Sequence, residues 1–351
     1  MSVNEAKLHE FLGKMLGDMG AAAVAPLVVL GDKLGLYRVL GTEGPLTTEQ
    51  LAAKSNTAER YIREWCAAQA GSGYIEFDSK TNRFSMSPEQ QAIFSDPDSP
   101  VFMIGGFYAI ASLSIDEPKI TSAFQSGQGV PWGDHNQCLF CGTEKFFRPG
   151  YKNSLVSEWL PALEGVVEKL TAGAKVADIG CGHGAATIVM AQAFPRSKFF
   201  GFDFHQPSVD QANQRAQESG LKNVQFAAAS AKHFPNGDYD LIAFFDCLHD
   251  MGDPVGAVAH ALKSLKPDGT LMLVEPFAND ELKDNMNPVG RLYYSFSTMV
   301  CTPASLSQEV GLALGAQAGE KRLRDVVTKA GFTRFKRAAS TSFNLVLEAR
   351  P

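Results

Sequence analysis

The sequence lacks the features that direct a protein into a membrane or out of the cell. Its longest apolar run, residues 21–30, contains Pro26 and is about half of the roughly 20 residues that a bilayer requires. No apolar stretch followed by a small-residue cleavage site opens the chain, so we expect no signal peptide. The six cysteines form no paired framework, which suits free thiols in a reducing compartment. We therefore expect a cytoplasmic protein that binds no membrane.

Positive charge is also scarce. The chain has 32 Lys and Arg against 38 Asp and Glu, a formal net charge of −6. Residues 1–100 carry nine basic and thirteen acidic side chains, and residues 57–65 contain two arginines and two glutamates. Because contacts of Lys and Arg with phosphate supply most of the non-specific affinity for nucleic acid, we do not expect DNA binding.

The first hundred residues nevertheless have the pattern of a winged helix. Helical spacing predicts helices over residues 5–20 and 21–40, and two shorter capped helices follow. Two short strands around a polar turn near residue 80 complete the pattern as a wing. Because the run at 21–30 is too apolar to remain in water as a continuous patch, we expect this domain, residues 1–100, to form a homodimer.

The rest of the chain divides into two regions. Residues 101–150 are often interrupted by Pro, Gly and Ser and are predicted to be a connecting region, whereas strands and helices alternate regularly over residues 151–351. Alternation of this kind predicts an α/β fold with a parallel sheet and helices on both faces. A short turn between the last two strands predicts an antiparallel hairpin. The predicted strands are residues 175–179, 198–202, 224–228, 239–246, 270–274, 332–338 and 343–348.

A glycine-rich turn after the first of these strands carries the strongest functional signal. The sequence VADIGCGHGA, residues 176–185, runs from a buried strand into a helix, and its glycines let a ligand approach main-chain N–H groups. The spacing also fits a dinucleotide fingerprint, but Asp178 would repel a pyrophosphate, which weakens an interpretation as an NAD-linked oxidoreductase. A buried carboxylate needs a partner, and the ammonium of an amino-acid moiety would serve. Asp203, which ends the next strand, is placed to accept both hydroxyls of a ribose.

Five segments together resemble class I S-adenosylmethionine methyltransferases over roughly residues 150–351; they are VADIGCGHGA, FFGFDFHQPSV, FAAASAKHF, YDLIAFFDCLHDMGDP and LKPDGTLMLVEP. With the winged helix added, the chain resembles the O-methyltransferase architecture, whose bacterial members are often described as transcriptional regulators. The resemblance implies a Rossmann-like seven-stranded sheet, parallel with an antiparallel C-terminal hairpin. It also implies S-adenosylmethionine as the cofactor and a small molecule as the methyl acceptor. The alternative is a winged-helix transcriptional regulator that uses the same fold as a ligand sensor.

The resemblance assigns roles to individual residues. His249, in the segment LHDMGD, matches the position of a general base for a hydroxyl acceptor. A neutral imidazole with a pKa near 6.5 is suited to that role, and the alternative is a structural histidine that binds a loop. Ser230 stands where the family often has an acidic residue facing the adenine. The residues implied around the cofactor are Asp178, Gly180, Cys181, Gly182, Asp203, Phe204, Ser230, Ala231, Asp246, Phe147 and Arg148.

Aromatic and sulfur-containing side chains indicate a flat or apolar acceptor. Tyr151, Tyr293, Tyr294 and Met299 are predicted to contact it, although ordinary core packing explains such residues equally well. Tyr151 follows Phe147 and Arg148, and the three are predicted to form a lid over the cofactor or else a linker that packs aromatic side chains on the domain.

One further motif has the spacing of metal ligands. His135, Cys138 and Cys141 are separated by two residues each, as in many zinc sites. No obvious fourth ligand accompanies them, so we expect no metal.

Overall fold

The computed structural model describes residues 3–351 and separates into two units. The first unit contains the chain up to Ile115 together with Asn136–Pro149, and the second contains Asp116–His135 and Gly150–Pro351. The predicted connecting region, residues 101–150, thus contributes to both units.

The first unit has the helices and the two-stranded wing of a winged helix. Thr47 and Gln50 form a capping box at one helix start, and Ser87 and Gln90 form another, which explains why the short helices begin where they do. In the core, the Tyr37 hydroxyl donates a hydrogen bond to Oε1 of Gln69 over 2.7 Å. The elements are α1 Glu5–Lys33, α2 Leu36–Glu43, α3 Thr48–Ser55, α4 Glu59–Gly71, β1 Glu76–Asp78, β2 Arg83–Ser85 and α5 Pro88–Phe94.

The first helix differs from the sequence prediction. Residues 5–20 and 21–40 were expected to form two helices, but α1 runs without interruption for 29 residues, through Gly20 and Pro26. Gly20 ends no helix here, because glycine lowers helix stability without breaking the hydrogen-bond ladder. By length and composition alone α1 passes the test for a membrane-crossing helix, and 22% of its most apolar window is buried. The prediction that no segment is long enough to cross a bilayer was based on residues 21–30 alone, which are only part of this longer helix.

Two helices follow the winged helix, and the second unit is built on a sheet. Helix α6 Ile104–Ser126 is divided between the two units, whereas α7 Gln137–Gly150 belongs to the first unit except for its last residue. The following elements are α8 Val166–Ala172, β3 Lys175–Ile179, α9 Ala185–Ala193, β4 Lys198–Asp203, α10 Gln206–Glu218, β5 Val224–Ala228, β6 Tyr239–Phe245, α11 Pro254–Ser264, β7 Leu265–Pro276, α12 Pro288–Phe296, α13 Thr302–Leu306, α14 Gly319–Lys329, β8 Arg334–Ser340 and β9 Asn344–Arg350.

The seven strands confirm the predicted fold class. Their order is β5-β4-β3-β6-β7-β9-β8, in which the pairs up to β7 are parallel and β9 is antiparallel to both of its neighbours. The parallel strands are nearly continuous apolar runs, as expected where helices cover both faces of a sheet.

Some details of the second unit were not predicted. Residues 266–269 were expected to be a turn before a strand at 270–274, but they form an irregularity inside the longer β7, whose pairing with β6 shifts between Tyr239 and Leu241. Two π-helical segments, Tyr151–Trp159 and Ser297–Cys301, are also present. Such wide turns often occur at functional sites.

The parallel strands β3, β4, β6 and β7 end at one edge of the sheet. Each carries or precedes an acidic residue there, and these residues are Asp178, Asp203, Asp246 and Glu275. In open α/β sheets this carboxyl edge is where ligands bind.

Candidate active site

The glycine-rich turn joins β3 to α9. Gly180 has φ +71°, and a side chain there would place Cβ 2.7 Å from Sγ of Cys247, so the position needs glycine for both conformation and space. Its N–H donates to the carbonyl of Phe202 over 2.7 Å. Gly182, in contrast, faces open space, because a Cβ on it would meet no atom within 4 Å. The turn therefore presents an open main-chain surface beside the carboxyl edge.

Asp178 is a buried carboxylate with half of its hydrogen-bonding capacity unused. It is 1% exposed, and its Oδ2 accepts a hydrogen bond from the Thr187 hydroxyl over 2.5 Å. Oδ1 is buried and has no hydrogen-bond partner in the described part of the chain. Burial raises the pKa of Asp178 to about 7, against a smaller lowering effect from Thr187. A cation bound at Oδ1 would complete this site.

Asp203 ends β4 on the other side of the turn. Its Oδ2 accepts a hydrogen bond from the N–H of Gly182 over 2.9 Å, and its Oδ1 accepts one from the N–H of His205 over 2.8 Å. Burial raises its pKa, and these N–H groups partly offset that rise. The carboxylate is thus fixed in orientation and has further acceptor capacity. Phe204, the next residue, is 59% exposed, which leaves its ring available to a flat ligand.

Asp246 follows β6 in a left-handed conformation, with φ +50°. It accepts hydrogen bonds of 2.7 Å from the Tyr151 hydroxyl and from Nδ2 of Asn344. Burial raises its pKa to about 8, against the lowering effect of Tyr151. A non-glycine residue at positive φ is strained, and such residues cluster at functional sites. Asn344 was not predicted, because its position depends on how β9 returns beside β7.

His249 lies one turn beyond Asp246 and is 4% exposed. Its Nδ1 is 2.6 Å from Oε2 of Glu275, and Oε1 of Glu275 accepts a hydrogen bond from the N–H of Leu248 over 3.0 Å. Glu275 is itself 1% exposed, so the imidazole is held in one orientation. Glu275 was not predicted as a site residue, although an acidic residue directly after a predicted strand is a usable signal.

The other ring nitrogen of His249 faces two further groups that were not predicted. Nε2 lies 3.1 Å from Oδ1 of Asp250, and Sγ of Cys301 lies within 4.8 Å of a donor atom of each of these side chains. Cys301 ends the second π-helical segment and is buried. We call His249, Asp250 and Cys301 the histidine cluster.

The histidine cluster changes the protonation expected for His249. Burial by itself lowers the pKa of the imidazole, but the carboxylates of Asp250 and Glu275 outweigh burial and raise the pKa well above its ordinary value. In the absence of ligands the pKa of His249 is therefore raised above the 6.5 expected for a free imidazole.

The other residues predicted around the cofactor have contacts of their own within the chain. The Ser230 hydroxyl is 2.9 Å from Nδ1 of His233, and Ala231 packs against the sheet core. Cys181 lies within the glycine turn, and burial raises the pKa of its thiol. Phe147 and Arg148 lie on α7 in the first unit, where Arg148 faces Glu144 at 3.6 Å. Their role over the cofactor stays a prediction.

The residues predicted to contact the acceptor differ in how exposed they are and in whether their hydroxyls already form hydrogen bonds within the chain. Tyr293 is 4% exposed, and its hydroxyl donates to the carbonyl of Phe343 over 2.9 Å. Tyr151 is buried, and its hydroxyl is used by Asp246. Tyr294 and Met299 are partly exposed and remain candidates for direct contact.

The predicted ligand spacing at His135 does not form a metal-like group. Among residues 3–351, the group of three or more metal-ligating side chains with mutually close donor atoms is the histidine cluster. His135 belongs to the second unit, whereas Cys138 and Cys141 lie on α7 in the first.

Comparison with known proteins agrees with both parts of the fold. The family model described as a methyltransferase domain matches residues 170–331, and the model of an Rv2258c-like winged HTH domain matches residues 22–95. The chain carries a winged helix-turn-helix domain and a methyltransferase domain.

Relatives in sequence match about a third of this chain. An uncharacterized methyltransferase of Bacillus subtilis, YcgJ, is 30% identical over 34% of this chain and 47% of its own length. A ubiquinone biosynthesis O-methyltransferase of Bordetella avium is 31% identical over 36% of this chain and 51% of its own. The chain thus spans about half the length of the curated relatives it matches.

Solved structures match the whole chain. An O-methyltransferase family protein of Burkholderia thailandensis has a TM-score of 0.68 at 16% identity and covers 100% of this chain and 99% of its own. Human N-acetylserotonin methyltransferase, solved with S-adenosylmethionine, has a TM-score of 0.67 at 17% identity and covers 100% and 99%. At these identities the likeness establishes a shared fold.

Proposed function

We propose that this chain is an S-adenosylmethionine-dependent methyltransferase that acts on a small-molecule acceptor. The observation that carries the proposal is the buried, unpartnered Oδ1 of Asp178 beside the open main chain at Gly182. A buried carboxylate oxygen without a partner is costly, so the position favours a ligand that brings a cation. The ammonium of a methionine moiety is such a group, whereas the pyrophosphate of NAD is an anion.

The neighbouring residues fit the other parts of the same ligand. Asp203 is oriented by two N–H groups and can accept hydrogen bonds from ribose hydroxyls, and the exposed ring of Phe204 can lie against the adenine. When bound, S-adenosylmethionine would supply the methyl group as an electrophilic sulfonium. The roles assigned to Gly180, Cys181, Ser230, Ala231, Asp246, Phe147 and Arg148 belong to this proposal.

His249 is proposed as the base for a hydroxyl acceptor. A neutral hydroxyl is a poor nucleophile, and removal of its proton by an imidazole activates it. Glu275 orients the ring from Nδ1 and would stabilise the imidazolium that forms when Nε2 takes the proton. The names of two solved neighbours support a hydroxyl, because one is an O-methyltransferase family protein and the other is mitomycin 7-O-methyltransferase.

The apolar run at 21–30, from which the dimer was predicted, is largely packed within the chain through Val24, Val28 and Val29, so the proposed homodimer rests instead on exposed apolar residues nearer the start of α1. Phe11 is 59%, Leu16 is 69% and Met19 is 64% exposed in the single chain. A long helix with such residues needs a partner surface, and a second copy of the same helix is the simplest one. We assign dimerisation to residues 1–100, cofactor binding to residues 151–351, and the protein to the cytoplasm.

The regulator interpretation is less well supported. In a winged helix that reads DNA, the recognition helix needs free basic side chains. On α4, Arg60 pairs with Glu64 at 2.6 Å and Arg63 pairs with Glu59 at 2.8 Å. The two arginines are therefore matched by two acidic neighbours, and this stretch of the helix carries no net positive charge.

Calorimetry and a transfer assay test the proposal. S-adenosylhomocysteine is expected to bind with micromolar-range affinity, about −8 kcal/mol. Labelled S-adenosylmethionine is then incubated with a panel of phenols, amines and thiols, and transfer is expected to at least one class. Tighter binding of NAD than of S-adenosylhomocysteine would refute the assignment.

A further inference from the structure

We propose that His135 is a specificity-determining contact for the methyl acceptor, and that its Nε2 accepts a hydrogen bond from an O–H or N–H group of that molecule. The acceptor then carries two polar hydrogens, one on the hydroxyl that is methylated and one that binds His135. The inference deepens the function proposed above and rests on it for the presence of an acceptor at this edge of the sheet. The tautomer of His135 can be measured without any acceptor.

The segment that carries His135 packs on elements that follow the carboxyl ends of the strands in the second unit. The N–H of Val130 donates to the carbonyl of Pro303 over 2.9 Å, which ties the segment to the chain just after the second π-helical turn. At Gly133 a Cβ would lie 3.5 Å from the ring of His205, just beyond β4. The segment therefore reaches from the side predicted to hold the acceptor to the side predicted to hold the cofactor.

His135 also lies close to the residues proposed to activate the acceptor. His135 and Asp250 each change the pKa of the other through the interaction of their charges, so the two side chains are near each other. Asp250 is in turn 3.1 Å from Nε2 of His249, the proposed base. Because Asp250 adjoins both histidines, an acceptor whose hydroxyl reaches His249 has His135 beside another part of the molecule.

One nitrogen of the His135 imidazole is in use and the other is not. The side chain is 1% exposed, and Nδ1 lies 3.3 Å from Oδ2 of Asp116. Nε2 is buried and has no hydrogen-bond partner among residues 3–351. A buried polar atom without a partner is costly, and folded proteins usually provide one. A ligand with a hydrogen-bonding group at Nε2 would complete the site.

The surroundings of His135 decide which nitrogen carries the proton. Oδ1 of Asp116 is paired with the ammonium of Lys119 at 2.9 Å, which favours the carboxylate form. A carboxylate only accepts hydrogen bonds, so Nδ1 of His135 is the donor to Asp116. Burial lowers the pKa of His135 and outweighs the raising effects of Asp116 and Asp250, so the ring is neutral at pH 7.5, about one unit above the ordinary value. Nε2 is therefore a hydrogen-bond acceptor.

An accepting nitrogen at this place selects the chemistry of the methyl acceptor. A hydroxyl or an amine N–H can donate to Nε2 of His135, whereas an ether, ester or carboxylate oxygen cannot. A site with a buried polar group rejects a ligand that lacks the matching group, because the buried atom then stays unpaired. The favoured acceptors are dihydroxy or amino-hydroxy compounds.

Nitrogen NMR of the full chain, labelled at histidine, tests the tautomer at pH 7.5. The resonances of His135 are assigned by their loss in His135→Gln. We expect a neutral ring with its proton on Nδ1 and a lone pair on Nε2. A proton on Nε2, whether in the other tautomer or in a charged ring, would overturn the proposal.

A transfer assay with matched acceptors tests the contact. Catechol, resorcinol and hydroquinone are each compared with the corresponding methylphenol, in which a methyl group of similar size replaces the second hydroxyl. The original protein should prefer at least one dihydroxybenzene by about tenfold or more in kcat/KM. His135→Leu should abolish this preference mainly through KM, and His135→Gln, whose amide oxygen accepts hydrogen bonds, should retain part of it.

The matched control is His260→Gln. Nε2 of His260 already donates to the carbonyl of Phe234 over 2.8 Å, so this histidine of the same unit has its partner within the chain. The control should keep the preference for the dihydroxybenzene. A preference that survives in His135→Leu, or that is lost equally in His260→Gln, would overturn the role of His135.

Titration of each variant with S-adenosylhomocysteine checks that it is folded and separates the two proposals. Equal methylation of the dihydroxybenzenes and the methylphenols by the original protein refutes the contact with His135 and leaves the methyltransferase proposal standing. If none of these phenols is methylated, each is added to the complex with S-adenosylhomocysteine, and an Nε2 resonance that no dihydroxybenzene shifts overturns the contact. Absence of any affinity for S-adenosylhomocysteine refutes the proposed cofactor, and the proposal for His135, which rests on it, is then overturned as well.

Discussion

Replacing Asp178 by asparagine removes a buried negative charge and nearly preserves the shape of the side chain. In the protein without ligand, the unused oxygen of this carboxylate has no partner, and burial raises its pKa from 3.8 to about 7. The folded protein therefore binds a proton at Asp178 that the unfolded chain releases near pH 4. By linkage, stability is lost as the pH rises from about 4 to about 7, and the loss is complete above pH 7.

The size of the loss follows from the shift in pKa. Three units correspond to about 4 kcal/mol at and above pH 7, and to about 2 kcal/mol at pH 5. The Asp178→Asn variant has no charge to bury, so without ligand it should be more stable than the original protein by amounts of this order. The same variant offers no charge to an ammonium group, and its affinity for S-adenosylhomocysteine should fall by about 10²-fold.

Two measurements check these expectations. Denaturant unfolding of the ligand-free protein at pH 5 and pH 8 gives the stability difference, and calorimetry gives the affinity. Asp240→Asn is a matched control, because Asp240 is also a buried strand residue but is paired with Lys266 at 2.7 Å. The control should be destabilised and should bind S-adenosylhomocysteine normally.

One result would refute the reasoning. If Asp178→Asn lowers stability at pH 8 and keeps full affinity, the carboxylate is stabilised within the folded chain and does not bind the ligand. If Asp178→Asn gains stability but binds S-adenosylhomocysteine as tightly as the original protein, the cost of burying the charge is confirmed. The carboxylate then has no role in binding the ligand.

Three other variants test the remaining assignments. His249→Ala should reduce kcat by about 10²- to 10⁴-fold in a transfer assay with an identified acceptor and leave the affinity for S-adenosylhomocysteine nearly unchanged; unaltered turnover would exclude an essential role in activating the acceptor. Asp203→Ala should instead weaken cofactor binding first, as measured by calorimetry, and an unchanged dissociation constant would argue against contact with the ribose. The double variant Phe11→Asp with Leu16→Asp should convert a dimer into a monomer by light scattering, and a monomeric original protein would contradict the dimer.

Periodicity and local motifs predicted much of this molecule. The alternation of apolar strands and helices gave the bounds of β3, β5 and α9 correctly, because these elements depend on residues close together in the chain. The glycine-rich turn and the acidic residues at strand ends pointed to the carboxyl edge of the sheet for the same reason. The continuity of α1 was missed, since a glycine and a proline in one apolar stretch look like a break when tertiary support is unknown.

The partners of the candidate site depended on tertiary structure. His249 could be singled out from its own segment, but Glu275 reaches it from the end of β7, Asn344 reaches Asp246 from β9, and Cys301 arrives on a π-helical turn. These contacts join residues far apart in sequence, and no local pattern specifies them. The pKa of His249 therefore also lay outside sequence analysis, because it is set by carboxylates that only the folded chain brings together. The sequence by itself determined which groups stand at the sheet edge, and the packing of β7, β9 and the π-helical turn decided which of them interact.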